Sequence, residues 1–347
     1  MQMPEHRYVT IIIPVHNSEK SLPLVLDSLL RLEYPHKYIR VVIVDDCSTD
    51  TSLQIAMEFK QKYEEKFHSI EVIRLSQRVT TSKARNEGIK KALPGSYLMF
   101  LDSDVVLNPV TLTKLIELAE SDLRIGAVGG LYLTSNASLF EKVMWYRYLG
   151  KIAEGPAGTG ALLVKWEVFE RVGFFNEKLG YPKTIYEDLE YIMRIRKHGY
   201  KVLIDGREPL LHIKFMPAGS NRSESSKLRL VKQAVKHYAS YISLRKVYAL
   251  YEVLKVTPLK YKLEYVIYML IPFVLMIMSL YSIIVALLLL FIMVVSSSLY
   301  SLIVYPQNTA LTLRILAGPA ILLSRVLRAL ALILYIMVKP LYDKRMV

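Results

Sequence analysis

Asp102 and Asp104 are the pair in this 347-residue chain whose type and spacing point most directly to chemistry. They follow Tyr97 to Leu101, an apolar run of strand length. Side chains on extended chain alternate with a period of two, so the two carboxylates face the same way. Hard oxygen ligands leaving a strand end suit Mg²⁺ or Mn²⁺, with water and substrate phosphates completing the shell. The structural alternative is an acidic loop that caps a helix starting near Pro109. A second acidic pair, Glu187-Asp188, opens a helix expected over Ile185 to His198. Acids favour that end of a helix dipole, so a structural role stands beside a catalytic one. His212, on a short apolar strand, reads by itself as a core histidine. Cys47 has no basic partner nearby in sequence and is not expected to be a catalytic thiol.

The elements that must position these residues alternate at short spacing. Tyr8 to Pro14 and Ile39 to Val44 read as buried parallel strands, the second ending in Asp45-Asp46. Ser21 to Leu32 reads as a helix, as does Thr51 to Phe67, and Ile70 to Leu75 as a third strand. Thr81 or Ser82 can cap the helix carrying Lys83, Arg85 and Asn86. The fourth strand delivers the aspartate pair. After Pro109 come a helix (Thr111 to Ser121), a strand (Ile125 to Leu133) and an aromatic-rich helix (Leu139 to Leu149). The glycine-rich turn Gly155 to Gly160 leads into the strand Ala161 to Val164. Two short strands, Val202 to Asp205 and Leu211 to Ile213, close this part. The pattern is that of an α/β, doubly wound, mostly parallel sheet, which binds ligands at the carboxyl ends of its strands. The first strand continues as Pro14-Val15-His16-Asn17, without Gly-x-Gly-x-x-Gly, and no P-loop is visible. A dehydrogenase-type dinucleotide site is disfavoured.

Hydrophobic residues make up 52% of the chain, and the excess is local. No charged residue occurs from Tyr265 to Leu313. A bilayer span needs roughly 20 apolar residues, so this run predicts two spans, Tyr265 to roughly Tyr281 and Ile283 to roughly Tyr305. Ile315 to Val338, with Arg314, Arg325, Arg328 and Lys339 on one face, is expected to lie in the membrane plane or to form a third span. The formal charge is +14. Much of it falls between Lys214 and Lys262, just before the first span, where the positive-inside tendency places it in the cytoplasm against anionic lipids. Leu228, Val231, Val235, Tyr238 and Ile242 form one face of an amphipathic helix there. Nucleic-acid binding is disfavoured. The first ten residues show no basic region followed by an apolar core, so no signal peptide is expected and the first half should stay in the cytoplasm.

Taken together, these segments resemble the family 2 glycosyltransferases, inverting enzymes with the GT-A fold. IIIPVHN, VVIVDDCSTD, SKARNEGI, FLDSD, GTGALLVKWEVFERVGFFNE, YEDLEYIMRIRKHGYKV and the later histidine occur in that family's order. The resemblance implies a nucleotide-diphosphate sugar donor and a divalent cation, Mg²⁺ or Mn²⁺. Pro14, His16 and Asp45 would frame base and ribose, with Asp46 nearby, and Lys83 and Arg85 would lie on the helix facing the donor. Asp102 and Ser103 would contact the donor. Asp102, Asp104 and His212 would serve the metal. Asp188 would be the general base, with Glu187 beside it. Thr80 and Thr81 stand where that family often has glycine, and Glu190 where it often has aspartate. No Gln-x-x-Arg-Trp follows the acidic pair, which implies a single, non-processive transfer.

The expected organisation is a GT-A catalytic domain over residues 1–215, basic juxtamembrane helices over 216–263, and transmembrane helices with a tail over 264–347. A cytoplasmic catalytic domain held on a cell membrane by several spans suggests an acceptor in that membrane, a polyprenol- or dolichol-linked carrier or its saccharide. A synthase using the lipid phosphate as nucleophile, and a non-catalytic sugar-nucleotide-binding module, are the alternatives. Self-association is left open.

Overall fold

The computed structural model describes residues 7–134, 142, 145–179, 186–213 and 283–306, with shorter pieces between 250 and 274 and between 311 and 326. The chain divides into two compact units: Met1–Ser135 with Gly150–Phe215, and Asn136–Leu149 with Met216–Val347.

In the first unit, β1 (Val9–Val15) and β2 (Ile39–Asp45) are β-branched runs buried along almost their whole length. A strand covered on both faces needs apolar side chains at successive positions, which Ile11, Ile12 and Ile13 supply. Each such side chain contributes roughly 1.5–3 kcal/mol when fully removed from water. β3 (Ser69–Arg74) and β4 (Tyr97–Leu101) complete a parallel set in the order β3-β2-β1-β4. The connecting helices are α1 (Leu22–Leu30), α2 (Ser52–Tyr63) and α3 (Thr81–Ile89). α3 packs closely on β1: a Cβ on Gly88 would stand 2.4 Å from Ile12 Cγ2.

The rest of the sheet corrects the expectation of a mostly parallel one. β5 (Val105–Val106), β6 (Ile125–Thr134), β7 (Ile152–Glu154), β8 (Ala161–Val164) and β9 (Lys201–His212) continue it as β4-β8-β6-β9-β5, with β7 on β9. Only β6–β9 is parallel here; β4–β8, β6–β8, β5–β9 and β7–β9 are antiparallel. The sheet is therefore mixed. The cause is β8, which enters between β4 and β6 and reverses the chain direction. β9 is one strand, not two; its pairing with β6 is irregular around Gly206 to Pro209 but resumes at Leu210.

Two helix ends also differ from expectation. α3 is capped by Thr80, whose hydroxyl accepts from Lys83 N at 3.1 Å, not by Thr81 or Ser82. α2 ends at Tyr63, and Glu64–Lys66 tightens into a 3₁₀ turn. α4 (Thr111–Glu120), α5 (Trp166–Val172) and α6 (Glu187–Lys197) complete the unit.

In the second unit, the 22-residue helix Ile283–Val304 has no charged side chain. The second span expected from the sequence falls on it. Its side chains are described only at Leu288 and from Leu290 onward. Among the described residues no helix is long and apolar enough to cross a membrane. The first expected span, the amphipathic helix around 228–242 and the tail beyond 326 lie largely or wholly outside the described residues, as does most of Leu139 to Trp145.

Candidate active site

The carboxyl ends of β1 and β4, the turn after β2, and the first turns of α3 and α6 surround one cavity of about 300 Å³. β1 contributes Pro14 and Val15, the residue after it His16, the turn after β2 Asp46, and α3 Thr81 and Arg85. Asp102, Ser103 and Asp104 line it from the end of β4, and Glu187 from α6. The aspartates do not cap the following helix: α4 starts at Thr111 with no side-chain cap.

Among the described residues three non-glycines adopt left-handed backbone, and all stand beside this site: Asn17 (φ 50°), Cys47 (φ 52°) and Tyr186 (φ 60°). Such conformations cost on the order of 1 kcal/mol each and persist where surrounding contacts fix them. Asn17 is fixed by accepting from Thr49 N at 2.8 Å, and Cys47 by donating to Leu75 O at 3.1 Å. Tyr186 precedes Glu187, so the acidic pair emerges from a sharp turn straight into a helix.

Arg85 organises the charges. It is 2% exposed, donates to Asp102 Oδ1 at 2.7 Å and lies 3.5 Å from Glu187 Oε1. Its guanidinium also packs over the Phe175 ring at 5.5 Å. Burial opposes its charge, but Asp102 and Glu187 outweigh that and hold it firmly protonated. Asn86, one residue on, clamps the next wall. Its amide donates to Phe175 O at 3.0 Å and Glu177 Oε1 at 2.9 Å, and its carbonyl accepts from Phe175 N at 2.9 Å.

One guanidinium faces three carboxylates, so they do not all ionise alike. Burial, then the neighbouring Asp188 charge, pushes Glu187 up to about 7, with Arg85 opposing. Burial also raises Asp188, against the Leu189 amide that donates to its Oδ1 at 2.7 Å and against Arg85. Asp46 is raised by burial too, while Val79 N–H, His16 and Arg78 pull the other way. The Val79 amide reaches Asp46 Oδ1 at 2.6 Å.

The residues singled out in the sequence divide into two groups. Pro14, His16, Asp46, Arg85, Asp102, Ser103, Asp104 and Glu187 line the cavity together. Asp45, Lys83, Asp188 and His212 are not among the lining residues. Asp45 is buried and accepts from Ser48 N at 3.3 Å. Asp188 is half-buried beside Glu187. His212 stands behind Asp104, Nε2 to Oδ2 3.2 Å. Sequence reasoning missed Arg78, which hydrogen-bonds His16 Nε2 while His16 Nδ1 meets Asp46 O at 2.7 Å. It also missed Tyr132, whose phenol burial drives upward, helped by the charges of Asp102 and Asp188. Arg78 carried no periodic or motif signal, and Tyr132 read as one residue of an ordinary strand.

Among the described residues no group of three or more His, Cys, Asp or Glu side chains could cage a metal ion. The Asp104–His212 pair, with Asp102 on the same cavity, fits a hard cation whose shell is filled mostly by substrate phosphate and water. One Asp102 oxygen is already engaged by Arg85.

Fold and cleft define an α/β domain with an acidic ligand site at the carboxyl ends of its parallel strands. Residues 10–175 match the family model described as Glycosyl transferase family 2. The chain is 28% identical over 218 residues to a poly-β-1,6-N-acetyl-D-glucosamine synthase of Staphylococcus epidermidis, covering 58% of this chain and 50% of that protein. It is 39% identical over 107 residues to the poly(ribitol-phosphate) β-N-acetylglucosaminyltransferase TarS of Staphylococcus aureus, covering 30% of this chain and 17% of TarS. The chain thus spans half or less of these relatives' lengths. A solved mannosyltransferase from Pyrobaculum calidifontis, in complex with GDP-Man and Mn²⁺, superposes with a TM-score of 0.52 at 18% identity, over 94% of this chain and 88% of that one. The similarity in sequence is thus to family 2 glycosyltransferases over residues 10–175, and the structural likeness is one of fold alone.

Proposed function

We propose that the chain is an integral membrane, inverting glycosyltransferase. It moves one sugar from a nucleotide-diphosphate sugar to a polyprenol- or dolichol-linked acceptor at the cytoplasmic face. The convergence of Asp46, Arg85, Asp102, Asp104 and Glu187 on one cavity of about 300 Å³ carries this reading.

Asp102, Asp104 and His212 would hold a Mg²⁺ or Mn²⁺ ion, which when bound offsets the charge building on the leaving diphosphate. Pro14, His16 and Asp45 would frame base and ribose, with Asp46 nearby. The acceptor hydroxyl oxygen bonds to the anomeric carbon from the face opposite the diphosphate. The bond from that carbon to the diphosphate oxygen breaks, its electrons leaving with the diphosphate. Asp188 takes the hydroxyl proton. Burial makes Asp188 a stronger base than a solvated aspartate. Glu187, raised to about 7, is partly protonated near neutrality and can donate a hydrogen bond to a sugar oxygen.

The membrane part rests on the helix Ile283–Val304. Phe291 is 64% exposed and Ile303 83%, and no charge breaks the run. The wider uncharged run of sequence from Tyr265 to Leu313, which includes this helix, would supply the spans across a hydrocarbon core of about 30 Å. An uncharged surface of this kind is unfavourable in water and favourable in lipid. Alkaline carbonate extraction tests the anchoring; release of the full chain into the supernatant contradicts it.

The enzyme reading is tested with Asp188→Asn. Transfer should fall by ~10²–10⁴ with donor binding retained. A near-normal rate points instead to a lipid phosphate nucleophile, already anionic and in need of no base. Absence of any donor turnover in the wild type, with donor still bound, points to a non-catalytic module.

A further inference from the structure

Tyr132 lies on β6 where the pairing with β9 slips, between Gly130 and Tyr132. Such an irregularity re-aims side chains. Here the phenol is brought against the turn before β8. A Cβ on Gly158 would lie 2.1 Å from Tyr132 Oη. One on Gly160 would lie 2.9 Å from the Tyr132 ring and 3.1 Å from Asp102 Oδ2. A Cβ essentially never comes within 3.0 Å of such an atom, so glycine at 158 and 160 is a condition of the ring's place.

The turn and the aspartates are tied through this ring. Gly160 lies against the Tyr132 ring, and Gly160 O accepts from Asp102 N at 3.0 Å. On its other side the ring meets His212 edge to face, centroids 5.4 Å apart and planes at 90°. His212 in turn reaches Asp104. One aromatic therefore connects, through one partner each, to both aspartates of the Asp102-Ser103-Asp104 segment.

We propose that Tyr132 is a positioning residue, a wedge that sets the Gly158–Gly160 turn under Asp102 and the imidazole beside Asp104. This rests on the donor-site reading above. Groups one step removed from a cation typically change its affinity 10- to 100-fold when removed, because they orient the groups that touch it. Phenylalanine at 132 keeps the ring and its edge contact but gives up the oxygen. Leucine gives up both.

The test uses the full chain in detergent, with melting temperature followed as MnCl₂ is added alongside UDP-N-acetylglucosamine or GDP-mannose. Tyr132→Leu should raise the MnCl₂ needed for half-maximal stabilisation about tenfold and the donor KM similarly, with kcat changed less than about threefold. Tyr132→Phe should fall between it and the wild type. Without ligand, Gly158→Ala should melt lower, and adding Tyr132→Phe should restore part of the loss by removing the clashing oxygen. An unchanged MnCl₂ requirement and KM in both Tyr132 variants, with only the melting temperature lowered, makes the residue ordinary packing and overturns the proposal. So does a double variant that recovers nothing. If the wild type takes neither sugar nucleotide, the donor-site reading fails, and the ligand-free melting temperatures still decide whether the wedge exists.

Discussion

Strands β1 to β4 run parallel, and the ends of β1 and β4 with the turn after β2 meet at the cavity, whereas β5 to β9 form a mixed array beside it. The first set supplies the side that would hold the donor: His16, Asp46, Asp102 and Asp104. The second set, with α6, supplies Glu187, Asp188, His212 and the turn under Tyr132. Few side chains connect the two. Arg85 reaches from α3 to Asp102 on one side and Glu187 on the other, and Asn86 fastens α3 to Phe175 and Glu177. The difference teaches that a regular βα scaffold fixes one wall, while the opposite wall depends on a few buried polar contacts.

Removing those contacts separates the two walls. The largest effect is expected from Arg85→Met, which leaves Asp102, Glu187 and Asp188 without their shared cation. Unfolding in urea should show a loss on the order of 3 kcal/mol, the usual cost of stranding one side of a buried ion pair. A loss below about 1 kcal/mol means that Arg85 does not join the halves. Asn86→Ala comes next. It orphans the buried N–H and C=O of Phe175 and should cost about 2 kcal/mol, read from the same unfolding curves. If α6 is docked independently of Asn86, the loss will be no larger than for an exposed asparagine.

A subtler separation comes from pH. The folded chain holds the Glu187 proton up to about 7, above the ordinary value of 4.5, so between those values it binds more protons than the unfolded chain. This group's contribution to stability is therefore fully present below about pH 4.5 and declines as pH rises through about 7. Glu187→Gln should flatten that decline, by on the order of 1 kcal/mol between pH 5 and pH 8. Parallel stability curves for wild type and variant across this window would leave Glu187 an ordinary carboxylate.

The two walls were unequally legible in the sequence. Buried parallel strands need continuous apolar runs, so β1, β2 and β4 announced themselves, and the acids at their ends followed. The mixed half is set by pairings between distant segments that no local pattern carries. β5 and β7 are only two and three residues long, and Gly206 and Pro209 broke the apparent run of β9. The antiparallel insertion of β8 had no local mark either, which is why a mostly parallel sheet was expected. Within the site, the family resemblance pointed to Asp188, yet Glu187 is the member of the pair that lines the cavity. The left-handed backbone at Tyr186 that delivers the pair has no mark in the local sequence. Tyr132 could have been suspected from the glycines at 158 and 160, which signal a close approach without naming what approaches.

The central claim is that the acids at the end of β4 hold a cation and a sugar nucleotide together. Calorimetric titration of a UDP-, GDP- and dTDP-sugar panel into the full chain, with and without MnCl₂, tests it directly. One donor class should bind with MnCl₂, and Asp104→Asn should weaken that binding by about 10- to 100-fold while leaving the fold intact. Binding that ignores both MnCl₂ and Asp104→Asn, or no binding by any member of the panel, would contradict the account.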